Sequence, residues 1–227
     1  MAAVSPPPGD GPPQPVLLIH GVWMPAASLG LLAWRLRRAG FLPRLFSYPS
    51  VRRPVAVNAR RLIAEVRALG EPLGIVAHSL GGLVALRALH DEPGLPVQRL
   101  VLLGTPLRGS ALARRMAAFA PGRWLLGHSR DEGLLGDARL PGAPPATGLI
   151  AGTRPLGPGR LLPGLRGPSD GTVAVAETAH PLLAARCCLP VTHSGLLLSR
   201  AVAAEAIHFL RQGRFDADGP CKICPEA

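Results

Sequence analysis

One short stretch restricts the possible folds of this chain more than any other: Ala77-His78-Ser79-Leu80-Gly81-Gly82. An apolar run, Pro72-Leu73-Gly74-Ile75-Val76, leads into it, and a helical pattern, Leu83-Val84-Ala85-Leu86-Arg87-Ala88-Leu89, follows. The pattern reads as a buried strand joined to a helix by a turn with no residues to spare. Such a turn forces its central residue into an unfavourable backbone conformation. It closes only if the residues two before and two after are small, here Ala77 and Gly81. A glycine-rich turn with an incidental serine is the competing reading, and the rest of the chain decides between them.

Strand and helix patterns alternate from end to end. Val16-Leu17-Leu18-Ile19-His20-Gly21 is a continuous apolar run ending in a turn, as expected of a strand buried on both faces. Helical spacing from Leu29 to Ala39, a strand from Pro43 to Tyr48 and an amphipathic helix from Val55 to Leu69 follow. Beyond the strand at Leu73 to Ala77 and the helix at Leu80 to His90, strands are expected at Val97 to Leu103, Thr147 to Ala151 and Arg186 to Val191. The last helix is expected from Gly195 to Leu210. This alternation predicts a mostly parallel sheet of about six strands covered by helices on both faces.

The 227 residues suit one compact domain. The expected division is a disordered Pro/Gly-rich leader over 1–15, a folded domain over 16–212 and a flexible tail over 213–227. An insertion over 107–146, opening with a helix from Ala111 to Ala120, is expected to cap the carboxyl ends of the strands. No apolar run reaches the length of a transmembrane helix, so membrane contact is at most peripheral. The first residues lack the basic and apolar regions of a secretory signal, so the expected compartment is the cytoplasm.

The net charge of +11 invites a nucleic-acid reading. The arginines are scattered in short pairs such as Arg37-Arg38 and Arg114-Arg115, without basic-aromatic interleaving, so no nucleic-acid partner is expected. Of the four cysteines, Cys187 and Cys188 read as buried thiols in an apolar strand. Cys221-Lys222-Ile223-Cys224 has the spacing of half a zinc site, but a vicinal pair is an awkward second half. Incidental thiols in a flexible tail, and no metal, are expected.

A serine hydroxyl becomes a nucleophile only beside a base, and the base needs an orienting acid. Where the serine stands on a turn of this kind, acid and base follow it in that order at later strand ends. Of the histidines beyond the helix that follows Ser79, His128 precedes any plausible acid loop, His180 has no strand before it and His208 lies deep in the last helix. His193 falls between the last strand and the last helix and is the expected base. Between Asp137 and Glu177 the only carboxylate is Asp170, in the turn sequence Ser169-Asp170-Gly171-Thr172-Val173, which makes it the expected acid. Glu177 is the reserve. Backbone amides of Leu80 and of Val22, in the loop after the first strand, are the expected oxyanion donors. His20 and His78 read as structural, and Trp23, Met24, Phe119 and Trp124 as pocket lining.

Ile19-His20-Gly21, the elbow, Gly104-Thr105-Pro106, the Asp170 turn and Thr192-His193-Ser194-Gly195-Leu196-Leu197-Leu198-Ser199 together resemble α/β-hydrolases of the bacterial lipase and esterase type. The Ala-His-Ser elbow and the His193 segment resemble the small Bacillus-type lipases in particular. The resemblance spans about residues 16–212 and implies an α/β-hydrolase fold. It also implies a serine hydrolase that cleaves carboxylic esters through an acyl-enzyme with the Ser79, Asp170 and His193 triad, needing no cofactor. The implied partner is a small ester or acyl substrate of apolar character. An acyltransferase or thioesterase using the same residues is the nearest alternative, and a non-catalytic binding protein on the same scaffold is the next. Oligomeric state is not encoded in these motifs.

Overall fold

The computed structural model describes residues 13–136, 138–157, 167–222 and 224. Most of the expected leader lies outside them. Six strands form one sheet: β1 (Pro15–Ile19), β2 (Leu42–Phe46), β3 (Leu73–His78), β4 (Val97–Leu103), β5 (Ala146–Gly152) and β6 (Ala185–Leu189). Their order is β2-β1-β3-β4-β5-β6, and every pairing is parallel. Among the described residues seven helices flank them: α1 (Gly30–Arg38), α2 (Val55–Leu69), α3 (Leu80–Asp91), α4 (Ala111–Ala117), α5 (Ala120–Leu126), α6 (Gly195–Leu198) and α7 (Arg200–Gln212). The α/β-hydrolase expectation for the fold holds.

Strand periodicity sorts the core into two layers. Leu17, Ile19, Ile75 and Ala77 face the layer containing Leu62 and Val66 of α2 and Leu83 and Leu86 of α3. Val16, Leu18 and Val76 face Leu32 and Leu36 of α1 and Phe209 and Leu210 of α7. Burial on both faces explains why these strands read as unbroken apolar runs rather than as alternating ones.

Two helices are shorter than the periodicity suggested. The expected helix from Gly195 to Leu210 breaks at Ser199, whose backbone is extended (φ −71, ψ 134) and whose hydroxyl accepts from the Val202 amide. That bond starts α7 as a new helix. The expected helix from Ala111 to Ala120 breaks at Phe119, also extended, with proline in the first turn of the helix that follows.

The cysteine expectations are overturned. The described residues hold no free cysteine: Cys187 pairs with Cys221 and Cys188 with Cys224. Neighbouring strand residues point to opposite faces. Cys188 and Cys224 therefore join the α2/α3 layer, while Cys187 and Cys221 belong to the α1/α7 layer. One metal ion could not collect all four sulfurs from opposite sides of a sheet. The tail also pairs with the edge strand, since the Cys188 amide donates to the Lys222 carbonyl at 2.9 Å and the Lys222 amide donates back at 3.2 Å. The expected flexible tail is thus laced to β6, and it covers an edge that would otherwise offer unpaired backbone groups.

These bridges close segments spanning 34 and 36 residues. In the chain-entropy account each contributes about 3–4 kcal/mol. Reduction, or a paired Cys188→Ala and Cys224→Ala variant, is expected to lower Tm by on the order of 10 °C. Scanning calorimetry with and without reductant checks this, and an unchanged Tm would show that the bridges contribute nothing.

Candidate active site

Ser79 follows β3 directly and caps the start of α3 with φ 53 and ψ −121, a conformation that non-glycine residues rarely adopt. Holding it costs about 1–3 kcal/mol, so the surroundings must enforce it. Three contacts do so. The Ser79 amide donates to the Leu103 carbonyl of β4 at 2.8 Å, the Thr105 hydroxyl donates to the Ser79 carbonyl at 3.0 Å, and the Gly82 amide donates to the same carbonyl at 3.0 Å. The segment Gly104-Thr105-Pro106 thus clamps the turn locally.

The glycines after the serine are sterically required. A Cβ on Gly81 would lie 2.5 Å from the His20 carbonyl oxygen and 2.8 Å from that of Ile19, and one on Gly82 would lie 2.1 Å from the Thr105 hydroxyl. Helix α3 can pack this close to β1 and to Thr105 only without side chains there.

Asp170 and His193 come together at the neighbouring strand ends. Asp170 lies beside Gly152, the last residue of β5, and is 1% exposed. One carboxylate oxygen accepts the amides of Thr172 (2.9 Å) and Val173 (2.7 Å), and the other meets His193 Nδ1 at 2.6 Å. The His193 amide donates to the Asp170 carbonyl at 2.9 Å, so backbone and side chain register the two loops together. A carboxylate at Nδ1 selects the tautomer with the proton on that nitrogen and leaves Nε2 as the basic atom. Among the described residues no hydrogen bond joins the Ser79 hydroxyl to His193. The link between their loops is His78, whose Nε2 lies 3.2 Å from the His193 carbonyl and whose ring meets the His193 ring at a tilt of 48°, with centroids 4.6 Å apart.

The remaining candidates separate. Glu177, the reserve acid, is engaged elsewhere, since its carboxylate accepts the Ala174 amide at 2.9 Å and the Ala111 amide at 2.5 Å. It ties the first turn of α4 to the Asp170 loop, and burial raises its pKa above the ordinary carboxylate value. His20 is buried; its Nδ1 lies 2.8 Å from the Gly21 carbonyl and its ring stacks on Tyr48. Burial depresses the pKa of His20, and that of His78 well below 6.5, where the proximity of His193 adds to the effect. His128 contacts Asp131 on the surface, and His180 Nδ1 accepts the Leu182 amide.

A cleft opens at Ser79. Val22, Trp23, Pro106, Leu112, Met116, Leu126, Leu134 and Val173 line most of it, so its wall is apolar. Val22 lies in that wall, and the next amide, of Trp23, donates to the Ser50 hydroxyl at 3.2 Å. The Leu80 amide begins α3, where no intrahelical acceptor exists for it. Of the expected lining residues, only Trp23 is there. Met24 packs in the α1/α7 layer. Phe119 and Trp124 face outward, because the break at Phe119 rotates α5 away from the phase of one continuous helix. Leu112, Met116 and Leu126 take the inward positions. The expected helix from Ala111 to Ala120 carries Leu112, Met116 and Phe119 as its apolar residues; the first two line the cleft, whereas the break turns Phe119 outward and hides Leu126 from that pattern.

A single parallel sheet with a strained serine at one strand end and an Asp–His pair at two others defines a hydrolase scaffold. The chain belongs to the alpha/beta hydrolase family, whose model matches residues 16–205. Among solved structures it is similar to the mature lipase BlEst2 of Bacillus licheniformis, at 18% identity and a TM-score of 0.73, over 92% of this chain and 96% of that one. It is also similar to a metagenomic carboxyl esterase, at 19% identity and a TM-score of 0.64, over 83% and 67% of the two chains. A third is the NocB thioesterase domain in covalent complex with a fluorophosphonate nocardicin G analog, at 18% identity and 0.56, over 88% and 94%. At these identities the likeness is one of fold. No curated protein sequence matches the chain.

Proposed function

We propose that the protein hydrolyses carboxylic esters of apolar acyl groups, with Ser79 as nucleophile, His193 as base and Asp170 as its orienting acid. The observations that carry this reading are the strained Ser79 opening into an apolar cleft and, at neighbouring strand ends, a histidine held by a buried carboxylate. The presence of a lipase and a carboxyl esterase among the similar structures agrees with it.

His193 Nε2 takes the hydroxyl proton as Ser79 Oγ bonds to the acyl carbon. The carbonyl electron pair moves to oxygen, and the amides of Leu80 and Val22 hold that oxyanion. Asp170 stabilises the imidazolium without taking its proton. Collapse breaks the ester bond, and the imidazolium hands its proton to the departing alkoxide, leaving an acyl-serine. Water, deprotonated by the same Nε2, attacks that acyl carbon, and the serine leaves with the proton returned. No cofactor takes part in these steps. The paired cysteines favour an oxidising compartment over the expected cytoplasm.

A fluorophosphonate probe tests the reading directly. The folded protein is expected to label once, at Ser79, and Ser79→Ala to remove the label. A chain-length series of p-nitrophenyl esters, run beside matched thioesters, then measures the acyl preference. Folded protein that neither labels nor cleaves any ester would overturn the proposal.

A further inference from the structure

The helices α4 and α5 carry an apolar surface that neither the core nor the cleft uses. They turn Leu112, Met116 and Leu126 toward the cleft. On the outside, Phe119 is 46% exposed, Leu125 44% and Trp124 83%. Trp23, 47% exposed, continues this patch to the cleft: its indole N–H donates to the Leu125 carbonyl at 2.9 Å, and the same residue lines the wall near Ser79. Side chains of this size left in water on adjoining segments mark an interaction surface.

The charge around the patch identifies the partner. Arg115 and Arg123 are exposed on the same two helices. Arg52 and Arg53, also exposed, follow Val51, whose carbonyl accepts the His128 amide just beyond α5 at 2.9 Å. From Leu107 to Arg130 the chain has no aspartate or glutamate. The carboxylates that come next, Asp131 and Glu132, contact His128 and Arg130 and, in the second case, Arg87. Aromatic and leucyl side chains on the same segments as exposed arginines suit a surface with a hydrocarbon interior and negatively charged headgroups. A second copy of this chain would set the same arginines against one another across a two-fold axis.

We propose that this face docks the protein on an anionic phospholipid surface, with the mouth of the cleft toward the lipid. An acyl chain could then pass along Trp23 to Ser79 without crossing water; that consequence rests on the ester-hydrolase reading, whereas the docking does not.

Flotation of the full chain carrying Ser79→Ala, which leaves lipid unconsumed, tests docking alone. Binding to phosphatidylcholine vesicles containing phosphatidylglycerol is expected to be about tenfold tighter than to phosphatidylcholine alone, and to weaken with salt. A Phe119→Ser and Trp124→Ser double variant is expected to weaken binding about tenfold. In the Ser79 background it should leave hydrolysis of a water-soluble short-chain p-nitrophenyl ester unchanged. Arg115→Gln with Arg123→Gln should reduce the preference for anionic vesicles. Equal binding to both vesicles, no binding, or binding unaffected by these substitutions overturns docking. So does a dimer that the substitutions dissolve, or a single-stranded oligonucleotide that outcompetes the vesicles. Docking without soluble-ester hydrolysis sinks the hydrolase reading alone, and hydrolysis without docking sinks this inference alone.

Discussion

Ser79→Ala and His193→Ala are each expected to lower kcat for ester hydrolysis by about a million-fold, while Asp170→Asn lowers it by about ten-thousand-fold. The ranking follows from what each group does. In the proposed mechanism no acyl-enzyme forms without Ser79, and nothing accepts the serine proton without His193. Asparagine at 170 keeps the geometry of the loop, but its amide can meet Nδ1 as a donor, which favours the wrong tautomer. Combining Ser79→Ala with His193→Ala should cost no more than either change alone, because the two act as one unit. The activity left in each variant would measure what the cleft and the backbone amides supply without the triad. Stability should move the other way. Ser79 has φ 53, so Ser79→Gly is expected to relieve strain and raise the unfolding free energy by about 1 kcal/mol while eliminating turnover. Steady-state kinetics and urea titration of the same variants check both signs. If Asp170→Asn retained near-full activity while Glu177→Gln lost it, the acid would be misassigned.

The parts of this molecule that could be read from its sequence share one property: their causes are local. The apolar runs that became β1 and β3, and the apolar stretch Leu100 to Leu103 of β4, announce a sheet buried on both faces, and small residues around Ser79 announce a turn between a strand and a helix. Asp170 and His193 stood out because carboxylates and histidines are sparse in the right interval and each follows a strand pattern. What could not be read depends on contacts distant in sequence. Spacing alone cannot pair Cys187 with Cys221, since the choice depends on which face of β6 each sulfur occupies. The outward turn of Phe119 and Trp124 follows from a helix break whose signals, an extended residue before Pro121, compete with an unbroken apolar periodicity. Glu177 looked like an alternative acid because it is the next carboxylate. Its work in joining α4 to the Asp170 loop emerges only when the insertion folds back over the strand ends.

Acidification is expected to destabilise the fold from about pH 6.5 downward, through His78 and His20. Both are buried, at 1% and 2% exposure, and burial depresses both pKa values. In the unfolded chain each imidazole titrates near its ordinary value of about 6.5. Between the depressed native pKa and that value the unfolded state binds more protons, so unfolding becomes more favourable as pH falls. The slope approaches about 1.4 kcal/mol per pH unit for each histidine. Above about pH 7.5 both are neutral in either state and the slope vanishes. Glu177 and Glu205, whose carboxyl pKa values burial raises, act with the opposite sign, because the native state holds their protons more tightly. A single-residue comparison therefore isolates the histidine. His78→Gln can keep a donor near the His193 carbonyl but cannot titrate. Urea unfolding at about pH 7.5 and 5.5 should show the wild type losing about 2 kcal/mol and the variant about half of that. Identical losses would mean that His78 is not the group responsible. The same neutrality matters for turnover: in the proposed mechanism an imidazolium develops on His193, 4.6 Å from the His78 ring. A charged neighbour at that distance would oppose it, so burial of His78 serves the base as well as the fold.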